Sequence, residues 1–458
     1  MNSRIKKRTR GRLQTESTES VSVIRGFEGP DAPEPDLLKA CVHCGMCLSS
    51  CPTYRITGLE VSSPRGRLWL MSGVSEGRIS IDDPTFQEQM YQCLNCRACE
   101  AVCPSGVQYG VLLEASRYQI EKLTPRSRPS RAVRRVMLDW AFQDVDRIAM
   151  LVRGAKLYKA SGAQTVLRKS GLLKRIGAAD ADSMTPDIHG AFMKPGKEGW
   201  RAQQAKRRAM LFSGCIMGTV FADTNRAAGR VLARNGVDVS VPAAQGCCGA
   251  LMVHSGMFEE ARQLARRNID AFESSGGDAI VITAAGCGST LKEYGHLLRD
   301  DPEYAERAHD FAERVVDVTQ ILAEQPLQPM GCLERTVTYQ DACHLAHAQR
   351  ISAEPRALLK AIPGLKLVEM KESSLCCGSA GIYNLLRPAM AKQLGDRKAL
   401  NTIATNAVEV ITANPGCAMQ LKASLERNGS TVKVTHIVDL LDEAYAAGDN
   451  QSDGGIGE

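Results

Sequence analysis

The chain has 458 residues, 44% hydrophobic and 24% charged, the balance of a folded globular protein of roughly two to four domains rather than a disordered, collagenous or coiled-coil chain. No apolar run reaches the roughly 18 residues of a membrane-spanning helix, and the first thirty residues hold no secretory signal core. The net charge of +6 equals that of residues 1–12, which carry six Lys/Arg and no acid, so the remainder is neutral overall and no nucleic-acid partner is expected.

Residues 1–36, basic and then rich in proline (Pro30, Pro33, Pro35), read as a flexible leader. Residues 37–122 hold the first eight of seventeen cysteines. Residues 41–52 read Cys-Val-His-Cys-Gly-Met-Cys-Leu-Ser-Ser-Cys-Pro, and residues 93–104 read Cys-Leu-Asn-Cys-Arg-Ala-Cys-Glu-Ala-Val-Cys-Pro. Both fit C-x2-C-x2-C-x3-C-P, the run that holds [4Fe–4S] clusters in two-cluster ferredoxins, where the fourth thiolate serves the neighbouring cluster. The expected ligand sets are therefore Cys41, Cys44, Cys47 and Cys103 for one cluster, and Cys93, Cys96, Cys99 and Cys51 for the other. Zinc sites use two cysteine pairs across a spacer, not four cysteines in twelve residues. Disulfides do not suit a chain without an export signal. His43 sits inside a motif whose four positions are already thiols, so a solvated or supporting role is expected. Arg65 and Arg67, in Ser-Pro-Arg-Gly-Arg, read as cluster-shielding or docking charges or as a solvated loop.

Residues 123–207 form a basic, mostly helical linker. Between 125 and 208 there are nineteen Lys/Arg against seven Asp/Glu. Val133, Val136, Met137, Trp140, Ala141, Ile148, Leu151 and Val152 are spaced for an apolar helical face, with Arg131, Arg134, Arg135, Arg153, Lys156 and Lys159 nearby. Two readings compete: a linker packed between modules, and a basic amphipathic surface lying on an anionic membrane.

Residues 208–446 are duplicated. Cys215, the pair Cys247-Cys248 and Cys287 recur as Cys343, the pair Cys376-Cys377 and Cys417, offset by 128 to 130 residues. β-rich runs precede these cysteines at 209–212, 237–241, 279–283, 337–339, 365–368 and 408–412, with helical patterns between them at 225–234, 257–272 and 353–361. That alternation predicts parallel βαβ units, whose strand C-termini share one edge, so each set of four cysteines should converge. The two halves divide as 208–331 and 332–446, and residues 447–458 read as a frayed tail. His344 and His347 are expected near the same edge, as thiolate donors, proton carriers or core residues. Cys332 has no repeat partner and reads as an ordinary cysteine. No G-x-G-x-x-G follows a predicted strand, and no P-loop or G-x-S-x-G occurs. Flavin, nicotinamide and ATP sites are therefore not apparent, and no catalytic residue is expected in this chain.

The stretches Ala40–Tyr54, Pro64–Arg67, Cys93–Val107, Gln245–Ala250, Ala285–Ser289, Lys292–Gly295 and Leu375–Gly381 resemble the iron–sulfur subunit of bacterial glycolate oxidase (glycolate dehydrogenase), over roughly residues 37 to 443. The resemblance implies an α+β multidomain chain: a two-[4Fe–4S] ferredoxin-like module, a helical linker and two cysteine-rich CCG domains. It further implies FAD-bearing partner subunits that oxidise the 2-hydroxy acid, electrons leaving towards a quinone, and a cytoplasmic chain peripheral to the inner membrane face. Equivalent subunits of lactate or anaerobic glycerol-3-phosphate dehydrogenases are the alternative, with a non-catalytic iron–sulfur redox sensor as a third reading. In the related heterodisulfide reductases such CCG domains close with C-x2-C. Here Thr290 and Gln420 take the closing position, leaving three readings for each quartet: a further iron–sulfur cluster, a redox-active thiol site, or a structural core.

Overall fold

The computed structural model describes residues 25–124, 138, 140–175, 182, 185, 188 and 190–453. The basic residues 1–12, and Arg131, Val133, Arg134, Arg135, Val136 and Met137 of the expected apolar face, lie outside them.

The N-terminal module is built from short helices, α1 (Pro35–Lys39), α2 (Pro52–Thr57), α3 (Pro64–Ser75), α4 (Pro84–Gln92) and α5 (Ala98–Ala101), followed by the longer α6 (Tyr109–Leu123). Proline begins each of the first four, where its missing N–H costs nothing. Ser63 and Asp83 cap α3 and α4 by accepting from the amides of Gly66 and Phe86. The segment 64–67 is therefore the first turn of a helix rather than a solvated loop. Leu68, Met71, Phe86, Met90, Leu112 and Leu113 close the module's own core.

The middle segment contributes α7 (Val145–Ala160), α8 (Ala163–Lys169) and α9 (Leu172–Arg175). Asp144 caps α7 by accepting from the Asp146 amide.

Two sheets follow. The first has the order β1-β3-β2-β4-β5, from Gly199–Trp200, Arg207–Leu211, Val237–Ser240, Ala279–Ile282 and Val315–Asp317. The second has the order β7-β6-β8-β9, from Arg335–Tyr339, Leu365–Glu369, Glu409–Thr412 and Lys433–His436. Every pairing is parallel except β1 with β3. The predicted runs became strands, while β1, β5 and β9 were not anticipated because each is short or half polar.

The period-2 alternation of the strands joins the halves. Leu211, Val239 and Val281 of the first sheet share one core with Val337, Tyr339 and Ile411 of the second. Met210, Ile280 and Ile282 face the other way, into a core closed by Phe258, Leu264, Phe272 and Phe311. The long helix α10 (Ile437–Asp453) completes the shared core through Val438, Leu441 and Tyr445, and its Asp442 pairs with Arg230 at 2.5 Å.

Candidate functional site

The two N-terminal cysteine runs enclose two cavities. One is lined by Cys41, Cys44, Cys47 and Cys103, with Arg65, Leu68 and Tyr109. The other is lined by Cys51, Cys93, Cys96 and Cys99, with Thr53, Arg67 and Tyr109. Cys99 borders the first cavity too. The last cysteine of each run thus joins the first three of the other: Cys51 immediately precedes α2, and Cys103 follows the end of α5. The backbone repeats as well as the sequence. His43 and Gly45 have φ of 54° and 84°, and their counterparts Asn95 and Arg97 have 52° and 58°. Left-handed residues in such loops turn amide groups inward, as anion-binding nests do.

The first cavity lies towards solvent: Cys44 is exposed and Val42 and Met46 stand out beside it, while Arg65 Nη1 donates to the His43 carbonyl at 3.0 Å. The second is internal, with all four cysteines buried. Its sulfurs receive donors: the Asn95 amide lies 3.4 Å and the Tyr109 hydroxyl 3.6 Å from Cys93 Sγ. Burial pushes the Cys96 and Cys99 thiols well up, helped by neighbouring thiols. Arg67 is wholly buried, donating to the carbonyls of Gln89 (2.7 Å) and Ser62 (2.6 Å) and to Thr53 Oγ1 (3.1 Å). Burial opposes its charge, yet Tyr109, Cys93 and Cys51 hold the guanidinium charged. Four thiols around each cavity, with donors to sulfur and an arginine as counter-charge, form a donor set that fits two thiolate-held iron–sulfur clusters. Among the described residues, no three His, Cys, Asp or Glu side chains form a group that could hold a single metal ion.

The C-terminal cysteines converge at the strand carboxyl ends as two quartets. Cys215 Sγ lies 3.5 Å from Cys247 Sγ, Cys248 Sγ 3.2 Å from Cys287 Sγ, and Cys343 Sγ 4.0 Å from Cys376 Sγ. Hydrogen bonds from Cys215 and Cys248 pull the Cys247 thiol well down and push their own up. In the second quartet Cys343 and Cys377 are lowered, chiefly by their bonds with Cys376. Lys398, buried, sits near that quartet and donates to the Ser373 carbonyl at 3.0 Å. Thr290 and Gln420 are engaged elsewhere, with the carbonyls of Gly286 (3.3 Å) and Ala391 (3.2 Å). His344 Nδ1 lies 3.5 Å from Cys343 Sγ, whereas His347 Nε2 donates 2.9 Å to the Ser374 carbonyl. Cys332 is exposed and His43 points to solvent.

A polar seam invisible in the sequence joins the modules. Arg97 pairs with Glu293 of the first half and lies 3.8 Å from Glu114 of α6. Glu114 accepts from Asn95 Nδ2 at 2.6 Å and from His254 Nδ1 at 3.0 Å. Burial works against the Glu114 charge, but these donors and Arg97 hold it at about 2. Burial drives Glu293 the other way, to about 7. The rings of His254 and His344 meet 5.2 Å apart. Beside this seam Cys96 shares an apolar cluster with Leu94, Cys343, Cys376 and Tyr383. Of these residues Asn95, Arg97, His344 and the cysteines lie within or beside quoted cysteine motifs and Glu293 within the Lys292–Gly295 stretch, whereas Glu114 and His254 carried no local signal.

Comparison with known proteins follows this division. Residues 37–107 match the 4Fe-4S dicluster domain, 209–292 and 337–422 the cysteine-rich (CCG) domain, and 129–185 the linker region of the glycolate oxidase iron-sulfur subunit. The chain is 42% identical to the probable glycolate oxidase iron-sulfur subunit of Bacillus subtilis (strain 168), over 90% of this chain and 94% of that one. It is 34% identical to the glycolate oxidase iron-sulfur subunit of Escherichia coli (strain K12), over 94% and 99% of the two chains. A fumarate reductase (CoM/CoB) subunit of Methanothermobacter marburgensis is 29% identical, over 92% of this chain and 76% of that one.

Proposed function

The chain belongs to the family of glycolate oxidase iron–sulfur subunits, and from that premise we propose that it carries electrons from a flavin-bearing partner, which oxidises glycolate to glyoxylate, towards a quinone. The observation that carries this reading is the crossed arrangement of thiols. Cys41, Cys44, Cys47 and Cys103 hold one [4Fe–4S] cluster, and Cys51, Cys93, Cys96 and Cys99 hold the other. Each cluster, when bound, takes up and releases one electron. FAD and the hydride chemistry reside on the partner, since the sequence has no dinucleotide fingerprint.

The chain's own residues give the carrier a direction. The solvent-side cavity, with Cys44, Val42 and Met46 exposed, faces the donor subunit. The internal cavity leads through Cys96 towards the second C-terminal quartet. His344 beside that quartet offers a ring nitrogen to the Cys343 sulfur, which in turn favours the charged imidazolium, and this supports a further iron–sulfur site there rather than a structural core.

The chain sits on the cytoplasmic face of the membrane as a peripheral subunit. Met150, Leu151, Leu157, Val166 and Leu172 are exposed on α7 to α9 among eight Lys/Arg and one Asp, a composition that suits an anionic lipid surface. No helix among the described residues is long and apolar enough to cross a membrane.

Adding glycolate to the anaerobic complex tests the reading. The visible absorbance of the clusters should bleach, and iron should exceed the roughly eight atoms of two cubanes. A complex that oxidises glycolate fully while its iron–sulfur absorbance is absent or unchanged would overturn it.

A further inference from the structure

A cleft opens where three parts of the chain meet: the segment at Asp31–Glu34, the face of α6 at Val111 and Ala115, and the first C-terminal half at Val253, Phe258 and Leu297. Its walls are mainly apolar. Glu293 lines it and also pairs with Arg97, which stands in sequence between Cys96 and Cys99. The cleft is thus one side chain away from a cysteine loop of the internal cavity. Arg97 engages Glu293 through Oε1, and burial raises the carboxyl to about 7, so it can both hold and release a proton near neutral pH. His296 lines the cleft as well and is exposed.

The charges in the cleft select against an anion. Arg262 is engaged by Asp31 at 2.5 Å and Glu259 at 2.9 Å, and Arg299 by Asp300 at 3.5 Å and Asp31 at 4.0 Å. Glu34 and Glu114 add further acids. A carboxylate such as glycolate would meet repulsion, whereas a neutral apolar ring would meet Phe258, Val111 and Leu297 and one protonated carboxyl.

We infer that this cleft binds a quinone ring, one carbonyl oxygen accepting a hydrogen bond from the Glu293 carboxyl. The inference rests on the electron-carrier reading above and deepens it by placing the acceptor. Reduction of the quinone takes two electrons, which clusters held by the thiols would supply one at a time, and two protons; both C=O groups become C–OH, giving the quinol. Glu293 gives the first proton, and solvent reaching the cleft at His296 gives the second and restores Glu293.

Photoaffinity labelling of the intact complex with an azido-substituted short-chain benzoquinone, followed by peptide mapping, tests this. Peptides containing residues 31–34, 111–115 and 253–297 should carry the label. Val111→Trp, which fills the cleft from α6, should lower labelling about tenfold or more. Glu293→Gln keeps a hydrogen-bond donor but no transferable proton. It should keep labelling within about twofold while kcat for quinone reduction falls about a hundredfold at similar KM. Label mapped outside the cleft, or Glu293→Gln turning over quinone at the unsubstituted rate, overturns the inference even where glycolate bleaches the clusters. Clusters that stay oxidised with glycolate overturn the electron-carrier reading and this site with it.

Discussion

His436 Nε2 donates to the carbonyl oxygen of Thr283 at 2.8 Å, tying the last strand of the second sheet to the end of β4 in the first. The other ring nitrogen, Nδ1, accepts from the Val438 amide at 3.3 Å. Both nitrogens are satisfied only by a neutral ring, and the side chain is buried in the seam between the halves. Burial accordingly lowers its pKa to about 4, against the hydrogen bonds to backbone that favour charge.

A pH dependence follows from that seam. An unfolded histidine titrates near 6.5, so between about 6.5 and 4 the unfolded chain binds more protons than the folded one. The stabilisation is complete above that window and is lost as pH falls through it, to an upper bound of about 3 kcal/mol. Urea unfolding at successive pH values should show this slope in the natural chain and a flatter one in His436→Gln. Equal slopes would remove His436 as the cause.

The crossed thiols make a spectroscopic prediction. Cys51→Ala should abolish the same paramagnetic signal as Cys93→Ala, and Cys103→Ala the same signal as Cys41→Ala, each with a loss of about four irons. If Cys51→Ala instead matched Cys41→Ala, each run would hold its own cluster.

Arg67 places a positive charge beside the internal quartet, where it favours the more negative, reduced state. Arg67→Met should destabilise the module by about 3 kcal/mol, since the carbonyls of Ser62 and Gln89 lose a charged donor. It should also shift the midpoint potential of that cluster downwards. Arg67→Lys should restore the potential more than the stability, because an ammonium keeps the charge but not the fork of donors. Redox titration followed by electron paramagnetic resonance, beside chemical unfolding, separates the two effects.

Gly256 has φ of +69°, and a Cβ there would lie 2.6 Å from the carbonyl carbon and oxygen of Arg117 in α6. Neither backbone can yield easily, since Arg117 Nη1 also donates 2.8 Å to the His254 carbonyl. Gly256→Ala should cost about 3 kcal/mol through left-handed strain and the clash. Gly154, exposed within α7 with nothing within 4 Å of its Cβ position, should behave oppositely. Gly154→Ala should gain about 0.5–1 kcal/mol. Thermal unfolding of both variants checks the contrast.

Much of this protein was legible in its sequence because the informative residues recur at fixed spacing. Two C-x2-C-x2-C-x3-C-P runs announced a dicluster module, and an offset of 128 to 130 residues announced paired α/β halves with converging cysteines. Those signals are local or periodic, and the backbone geometry they need is carried by a few neighbouring residues. Only the tertiary structure decided that Cys96 lies beside Cys343, that Arg67 is wholly buried where a surface loop was one reading, and that Arg97, Glu114, His254 and Glu293 form one seam. Burial and ion pairing depend on which distant elements pack together, and an isolated arginine or glutamate has the same appearance in a sequence whether solvent or a buried partner surrounds it.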